Sequence, residues 1–397
     1  MTTHVISQLG ETRNDSSARI GEMTFKRPLR VLEVTARYIP FIGGVENHVY
    51  QVSRRLAKAG VDITVLTTDS GRQLESSEIV EGVKIERVSA WPANRDYYFA
   101  PNIYRKIMEN KWDVVHVQCY HTLVPPLAML AALNAHIPYV VTFHGGGHPS
   151  HLRNSLRATQ RMLLRPLLAR AERLVAIAEF EISLYGKELH FPKEKFCLIP
   201  NGSDLPPVHR TGEMNQSKGT LIASVGRLES YKGHQRILAA MPKLIELIPD
   251  IHLWIAGNGP YEPELRRLAK KLGVEERVDI RAIQSSDRTL MAEELSKAAL
   301  VVLFSEFETQ PIAILEALFL ARPVLVADTS GLSELAQKGM ARAIPLNSSP
   351  NQIAVAAAEQ IFHPLKQAQF HLSTWDECAT GLLALYESVS KDAHAIS

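Results

Sequence analysis

Two carboxylates in this chain are placed as a hydroxyl-rich, anionic ligand would require. Glu308 and Glu316 lie eight residues apart, the first after the apolar run Leu300-Val301-Val302-Leu303-Phe304 and the second inside the amphipathic run Pro311 to Leu318. That pattern predicts a strand, a loop carrying Glu308 and a helix carrying Glu316. Pro311 suits a first helical position, which turns unpaired N–H groups and the positive end of the helix dipole toward whatever fills the strand-end crevice. As continuous helix, eight residues would span about 12 Å, whereas the carboxylate pair of a retaining glycosidase needs about 5–5.5 Å. Such a pair straddles an extended ligand, with hydroxyls at both ends and a diphosphate between, better than it acts on one bond. Glu78 and Glu86 share the interval in an unremarkable stretch, so the flanking strand and helix carry the reading.

Cations stand where that diphosphate would need them. Gly226-Arg227-Leu228 closes a predicted strand and Lys232-Gly233 opens the next helix, so Arg227 offers a bidentate fork and Lys232 a point charge. An isolated pair with this spacing is as often two solvated surface cations; the strand-end position favours the site. Gly43-Gly44, before the first predicted helix, would let backbone approach a phosphate, although a lone Gly-Gly is more often an ordinary turn. His144, in Thr142-Phe143-His144-Gly145-Gly146-Gly147-His148, sits at a strand's carboxyl end beside three glycines that leave room for a ligand. The plainer reading is a histidine capping backbone groups. His148 and His144 without a nearby carboxylate make a poor metal set, so no metal is expected and His148 is assigned to the acceptor side.

The segment Leu152 to Arg173 holds six arginines against one glutamate. Arg153, Arg157, Arg161 and Arg165 recur every fourth residue and form one basic helical stripe. A solvated helix face is the ordinary reading; contact with anionic lipid or a phosphorylated acceptor is the sharper one.

The bulk properties exclude several classes. At 397 residues two domains are expected, and 46% hydrophobic content with a net charge of +2 is ordinary for a soluble protein and gives no signal for nucleic acid. Three scattered cysteines support neither a disulfide framework nor a thiolate metal site, which suits a reducing cytoplasm. Residues 1–28 lack the apolar core of a signal peptide and read as a mobile tail. The longest apolar window, Leu123 to Leu133, falls short of the ~20 residues a membrane helix needs.

From Leu29 short β-branched runs (LRVLEVTA, DITVLTTD, VKIERVSA, WDVVHVQ, PYVVTFH, RLVAIA, FCLIP) alternate with helical-period segments, the first with Val45, Val49, Val52 and Leu56 on one face. After a polar stretch from Asn201 to Gly219 the alternation restarts with TLIASVGRL and runs to RPVLVAD. The prediction is α/β: two doubly wound, Rossmann-like domains, 29–200 and 201–372, facing across a cleft at the carboxyl ends of mainly parallel sheets. No GxGxxG follows the first strand of either unit, which weakens a dehydrogenase reading.

These pieces together resemble a retaining glycosyltransferase of family 4, with the GT-B fold. The resemblance runs from Leu29 to about Ser388 and rests on GGVENHV, the FHG histidine, Pro200-Asn201-Gly202, GRLESYKG, IAGNGP, the Glu-x7-Glu pair and a final Trp375 segment. It implies that Arg227 and Lys232, with Gly226, bind the donor diphosphate and stabilise the departing nucleotide. Glu316 would hold the ribose and Glu308 the transferred hexose. Gly43 and Gly44 would approach the diphosphate from the other domain, His144 would lie near the reacting sugar, and the loop around Ile283 would meet the base. Thr309, Gln310 and Ile312 would flank the donor. Neither metal nor cofactor is implied, the leaving phosphate is drawn as taking the acceptor proton, and UDP is favoured over GDP. A glycan, lipid-linked or small-molecule acceptor is expected, handled in the cytoplasm or on the inner face of a membrane.

The chain departs from the family at Thr309-Gln310-Pro311, where Gly-Phe-Gly is common and backbone N–H groups meet the sugar; proline has none. Residues 373–397 resemble the family's last helix, which crosses back to the first domain and would couple closure to donor binding. An epimerase of the same architecture and a silent nucleotide-sugar binding protein are the alternative readings.

Overall fold

A computed structural model of the protein describes residues 27–396, apart from 42, 93–97, 146–150, 209–218, 285–286 and 367–370, with backbone alone for 151–156, 158 and 393–396. His148 and most of the predicted tail lie outside the described residues.

The β-branched runs become an eight-stranded sheet: β1 (Arg30–Val34), β2 (Asp62–Asp69), β3 (Ser77–Val80), β4 (Val83–Ser89), β5 (Val114–Gln118), β6 (Tyr139–Thr142), β7 (Arg173–Ala176) and β8 (Phe196–Leu198), in the order β3-β4-β2-β1-β5-β6-β7-β8. All its pairings are parallel except β3 on β4, an antiparallel edge hairpin whose SEIV sequence gave no strong strand signal. Helices α1 (Gly44–Lys58), α2 (Asn102–Met108), α3 (Val124–Asn134), α4 (His151–Arg170) and α5 (Glu179–Leu189) connect the strands. Val49, Val52 and Leu56 of α1 are buried and Val45 packs beside them, as the periodicity predicted. The apolar window at Leu123–Leu133 becomes α3, its prolines in the first turn, where a missing N–H costs nothing.

A second, all-parallel sheet holds β9 (Thr220–Val225), β10 (Ile251–Ala256), β11 (Val278–Ile280), β12 (Leu300–Leu303), β13 (Val324–Ala327) and β14 (Arg342–Ile344), in the order β11-β10-β9-β12-β13-β14. Around it run α6 (His234–Leu247), α7 (Glu262–Leu272), α8 (Arg288–Ser296), α9 (Ile312–Phe319), α10 (Ser330–Gln337) and α11 (Pro350–Phe362). Strands buried on both faces read as continuous apolar runs, which is why LVVL and VLVA were legible. One boundary differs from expectation. Pro311 is the N-cap of α9, with extended φ −72° and ψ 110°, and the helix begins at Ile312.

The final helix, α12 (Trp375–Ile396), returns to the first domain, where Trp375, Cys378, Leu382, Tyr386 and Val389 join the core on the α1 side of the first sheet. Its docking point explains the Pro-Asn-Gly motif: a Cβ on Gly202 would lie 2.2 Å from the Trp375 backbone nitrogen. Asp204 Oδ1 then accepts the Trp375 N–H at 2.6 Å and starts the helix. Among the described residues no helix is long and apolar enough to cross a membrane.

Candidate active site

One wall of the candidate site is built at the carboxyl ends of β9 and β12. After β9 the chain turns through Gly226 and Arg227, and Gly233 (φ +78°) fits against β12 only as glycine, because a Cβ there would sit 2.0 Å from the Phe304 carbonyl oxygen. This close approach brings Lys232 Nζ to 2.6 Å from Glu308 Oε1. Ser305 Oγ donates to the same oxygen at 2.7 Å, and the Glu308 N–H donates to Ser330 Oγ at 2.8 Å. Burial lowers the Lys232 pKa, but Glu308 and Tyr231 outweigh it and the ammonium stays charged, its pKa raised. Arg227 follows the same logic: burial opposes its charge, while the Tyr231 hydroxyl, 3.3 Å from Nη2, supports it. Arg227, Lys232 and Glu308 thus form one cluster, and the Lys232 charge is held by a carboxylate until an anion competes for it.

Glu316, on α9, is 3% exposed and ion-paired with Arg288. Burial raises its pKa and Arg288 opposes the rise. Sequence reading missed Arg288. Asp287 caps α8, its side chain accepting the Leu290 N–H at 3.0 Å, so Arg288 stands in the first turn, where a cation opposes the helix dipole. That mismatch was the available signal of a specific partner. Ile283 is half-buried against the second core, and the loop holding it leads toward α8.

In the first domain Gly43 is the extended N-cap of α1 and Gly44 its first residue. Glu46 in that first turn pairs with Arg37 Nε at 3.1 Å. His144 follows β6 with φ +45° and is buried, with its Nε2 2.7 Å from Gln118 Oε1 and its ring edge-on to His48 at 4.6 Å. Burial and then the neighbouring His48, His116 and His121 hold its pKa well below the usual imidazole value, so the ring is neutral. His48 Nδ1 in turn meets Asn201 Oδ1 at 2.8 Å. Gln118 and Glu181 were not singled out from sequence. The signal for Gln118 was an amide in a strand, VVHVQ, that is buried throughout. Glu181 carried no comparable signal. It accepts the Gly145 N–H at 2.8 Å and the Ile177 N–H at 2.9 Å, and burial raises its pKa to about 7.

The loops of the two domains meet at the residues that depart from the family pattern. Thr309 Oγ1 donates to the Gly145 carbonyl at 2.5 Å, and Gln310 Oε1 accepts the Asn201 N–H at 2.7 Å. Ile312 packs against the first domain's core. Thr309 and Ile312 therefore engage the first domain and Gln310 the junction residue Asn201, and the Glu308 loop is pinned beside the His144 loop.

The basic stripe does not lie open to solvent. Arg161 is 8% exposed, donates to the Tyr120 hydroxyl at 2.9 Å and pairs with Glu188; Arg165 donates to the Leu189 carbonyl at 2.8 Å. The expectation of one exposed stripe is corrected at these two positions: α4 turns them inward, where tyrosines, a carboxylate and a carbonyl offset their desolvation, and Leu163, 77% exposed, faces out instead. Arg157 is half-buried; burial lowers its pKa, and the hydroxyls of Tyr120, Tyr185 and Tyr231 oppose the fall. The Arg153 side chain and His148 lie outside the described residues. Among the described residues no cluster of histidine, cysteine or carboxylate could hold a metal.

Residues 42–206 match the family model described as Glycosyltransferase Family 4, and residues 209–368 the model described as Glycosyl transferases group 1. A glycogen synthase of Mycobacterium tuberculosis is 26% identical over 363 residues, 83% of this chain and 84% of that one. The phosphatidyl-myo-inositol mannosyltransferase of Mycolicibacterium smegmatis is 25% identical over 375 residues, 88% and 91% of the two chains. The crystal structure of Anabaena HepE in complex with UDP superposes with a TM-score of 0.65 at 17% identity, covering 93% of this chain and 99% of that one.

Proposed function

Because the chain belongs to glycosyltransferase family 4 and has the GT-B fold, we propose that it transfers a hexose-type sugar from a UDP-sugar to a phosphorylated or lipid-linked acceptor, with retention at the anomeric carbon. The observation that carries the reading is the Arg227–Lys232–Glu308 cluster, one residue from the Thr309–Gly145 contact that brings the neutral His144 alongside. Arg227 and Lys232 take the diphosphate and stabilise charge that grows as the bond to the anomeric carbon breaks. Released from Lys232, Glu308 accepts from sugar hydroxyls. Glu316, released from Arg288, accepts from the ribose. The acceptor oxygen bonds to the anomeric carbon on the face the diphosphate leaves, and its proton passes to the leaving phosphate oxygen, so no protein base is required.

UDP is favoured by the complex in which the structural neighbour was solved, and a phosphorylated lipid acceptor by the name of the mannosyltransferase relative. Arg157, on α4 of the first domain, suits an anionic acceptor. The test is a thermal-shift and hydrolysis screen against UDP- and GDP-linked sugars. A ligand bound only to the native state raises stability by RT ln(1 + [L]/Kd). One sugar nucleotide should raise the melting temperature, and Glu316→Ala and Lys232→Ala should each abolish the rise; no rise with any of them would defeat the proposal.

A further inference from the structure

His144 is one end of a buried polar chain that reaches the crossing helix α12. Its Nε2 lies 2.7 Å from Gln118 Oε1, and the Gln118 amide nitrogen lies 3.3 and 3.5 Å from the two ring nitrogens of His116. His116 in turn places Nδ1 2.6 Å from the Tyr386 hydroxyl and Nε2 2.7 Å from Thr142 Oγ1, and the Tyr386 hydroxyl donates to Glu33 Oε1 at 3.3 Å. Gln118, His116, Thr142, Tyr386 and Glu33 are all essentially buried.

The proton positions follow from the far end. The Tyr386 hydroxyl donates to Glu33 Oε1, which leaves the Tyr386 oxygen to accept. Tyr386 oxygen then receives the Nδ1 proton of His116, whose Nε2 accepts from the Thr142 hydroxyl. Both His116 nitrogens are then engaged, Nδ1 by Tyr386 and Nε2 by Thr142, and the Gln118 amide lies with its NH2 group beside that ring and its carbonyl oxygen 2.7 Å from His144 Nε2. A carbonyl can only accept, so the proton of a neutral His144 must sit on Nε2, leaving Nδ1 as the ring's acceptor.

We infer that Gln118 is a positioning residue for sugar transfer: by accepting from Nε2 it fixes His144 as the Nε2–H tautomer, so that Nδ1 is presented as a hydrogen-bond acceptor to a hydroxyl of the donor sugar. This rests on the glycosyl-transfer reading for the identity of the hydroxyl, but not for the tautomer. The ring packs edge-on against His48 of α1, and the charges it feels from His48, His116 and His121 are positive when present, so none favours imidazolium. His144 also carries a left-handed backbone, φ +45°, a conformation a residue with a Cβ keeps only when its surroundings impose it.

The experiment is long-range 1H–15N correlation NMR of histidine-labelled full-length protein, with the His144 signals assigned by their loss in His144→Asn. Wild type should show a pure Nε2–H tautomer at neutral pH. Gln118→Met should give a tautomer mixture. Gln118→Glu, which keeps shape and acceptor and serves as the folding control, should keep Nε2–H and titrate at least one pH unit higher than wild type. An Nδ1–H ring in wild type, or an unchanged tautomer in Gln118→Met, overturns the proposal. With UDP-glucose as the probe, Gln118→Met should lower the hydrolysis kcat roughly two- to tenfold while the thermal shift with UDP alone persists; unchanged kcat overturns the positioning role. If wild type neither binds nor hydrolyses any sugar nucleotide, the functional reading fails while the tautomer result still decides this one.

Discussion

The contact between Thr309 Oγ1 and the Gly145 carbonyl makes a sharp prediction about how the two domains stay together. Thr309 is 4% exposed, so Thr309→Val keeps the buried volume and removes only the hydroxyl. In the closed arrangement the Gly145 carbonyl then lacks its donor, whereas on opening it meets water. Leaving a buried polar group unsatisfied costs about 1–3 kcal/mol, which moves a closed–open equilibrium roughly 5- to 150-fold. Native-state hydrogen exchange reads this directly through Phe180 N–H, which donates across the domain boundary to Glu334 Oε2 at 2.8 Å, and Asn201 N–H, which donates to Gln310 Oε1 at 2.7 Å where the two domains join. Both should lose protection by that factor in Thr309→Val and keep it in Thr309→Ser, while amides of the central strands β1 and β9 stay unchanged. Undiminished protection at Asn201 and Phe180 would mean that the hydroxyl does not hold the domains together, and the latch would have to be abandoned.

Other outcomes follow from the same geometry. Gly145→Ala would place a methyl 2.6 Å from the Tyr185 hydroxyl and 2.9 Å from Thr309 Oγ1, so sugar-nucleotide turnover should fall by an order of magnitude or more while the UDP thermal shift survives; wild-type turnover would show that the loop gives way freely. Lys232→Met should cost about 3–5 kcal/mol in urea unfolding by leaving Glu308 buried without its cation, and adding Glu308→Leu should recover most of it; a double variant as unstable as the single would reject a buried-pair origin. Burial holds His48 at about pH 4, so stability is lost as pH falls from 6.5 toward 4, by about 3 kcal/mol for this group. Glu181, raised to about 7 mainly by burial, acts oppositely and is least penalised below pH 4.5. His48→Gln should therefore lose about 3 kcal/mol less than wild type across that acid range, and parallel pH profiles for the two proteins would contradict the assignment.

What was legible in the sequence came from periodicity and from chemistry confined to one loop. Val49, Val52 and Leu56 lie on the buried face of α1 because a 3.6-residue period admits no other face, and Arg227, Lys232 and Glu308 converge because strand-end loops of one parallel sheet share one edge. The arginine stripe shows the limit. A four-residue repeat establishes that Arg157, Arg161 and Arg165 share a side of α4, but not whether that side meets water. Glu188 and Tyr120, which hold Arg161, come from other elements and leave no mark on the repeat. Arg288, Gln118 and Glu181 were missed for the same reason, since each acquires its role from a partner 26 to 36 residues away.

By itself, then, the sequence determined two doubly wound domains, the helix that follows Glu308 and the meeting of Arg227, Lys232 and Glu308 at the second sheet's strand ends, because strand and helix periods and strand-end positions are local properties of the chain. Only the tertiary structure decided which charges are paired, that Thr309 meets the opposite domain at Gly145, and that a buried line of polar side chains joins Glu33 to His144 through Tyr386, His116 and Gln118. Those outcomes depend on desolvation and on hydrogen-bond partners brought together from distant parts of the chain, and neither is encoded in spacing along it.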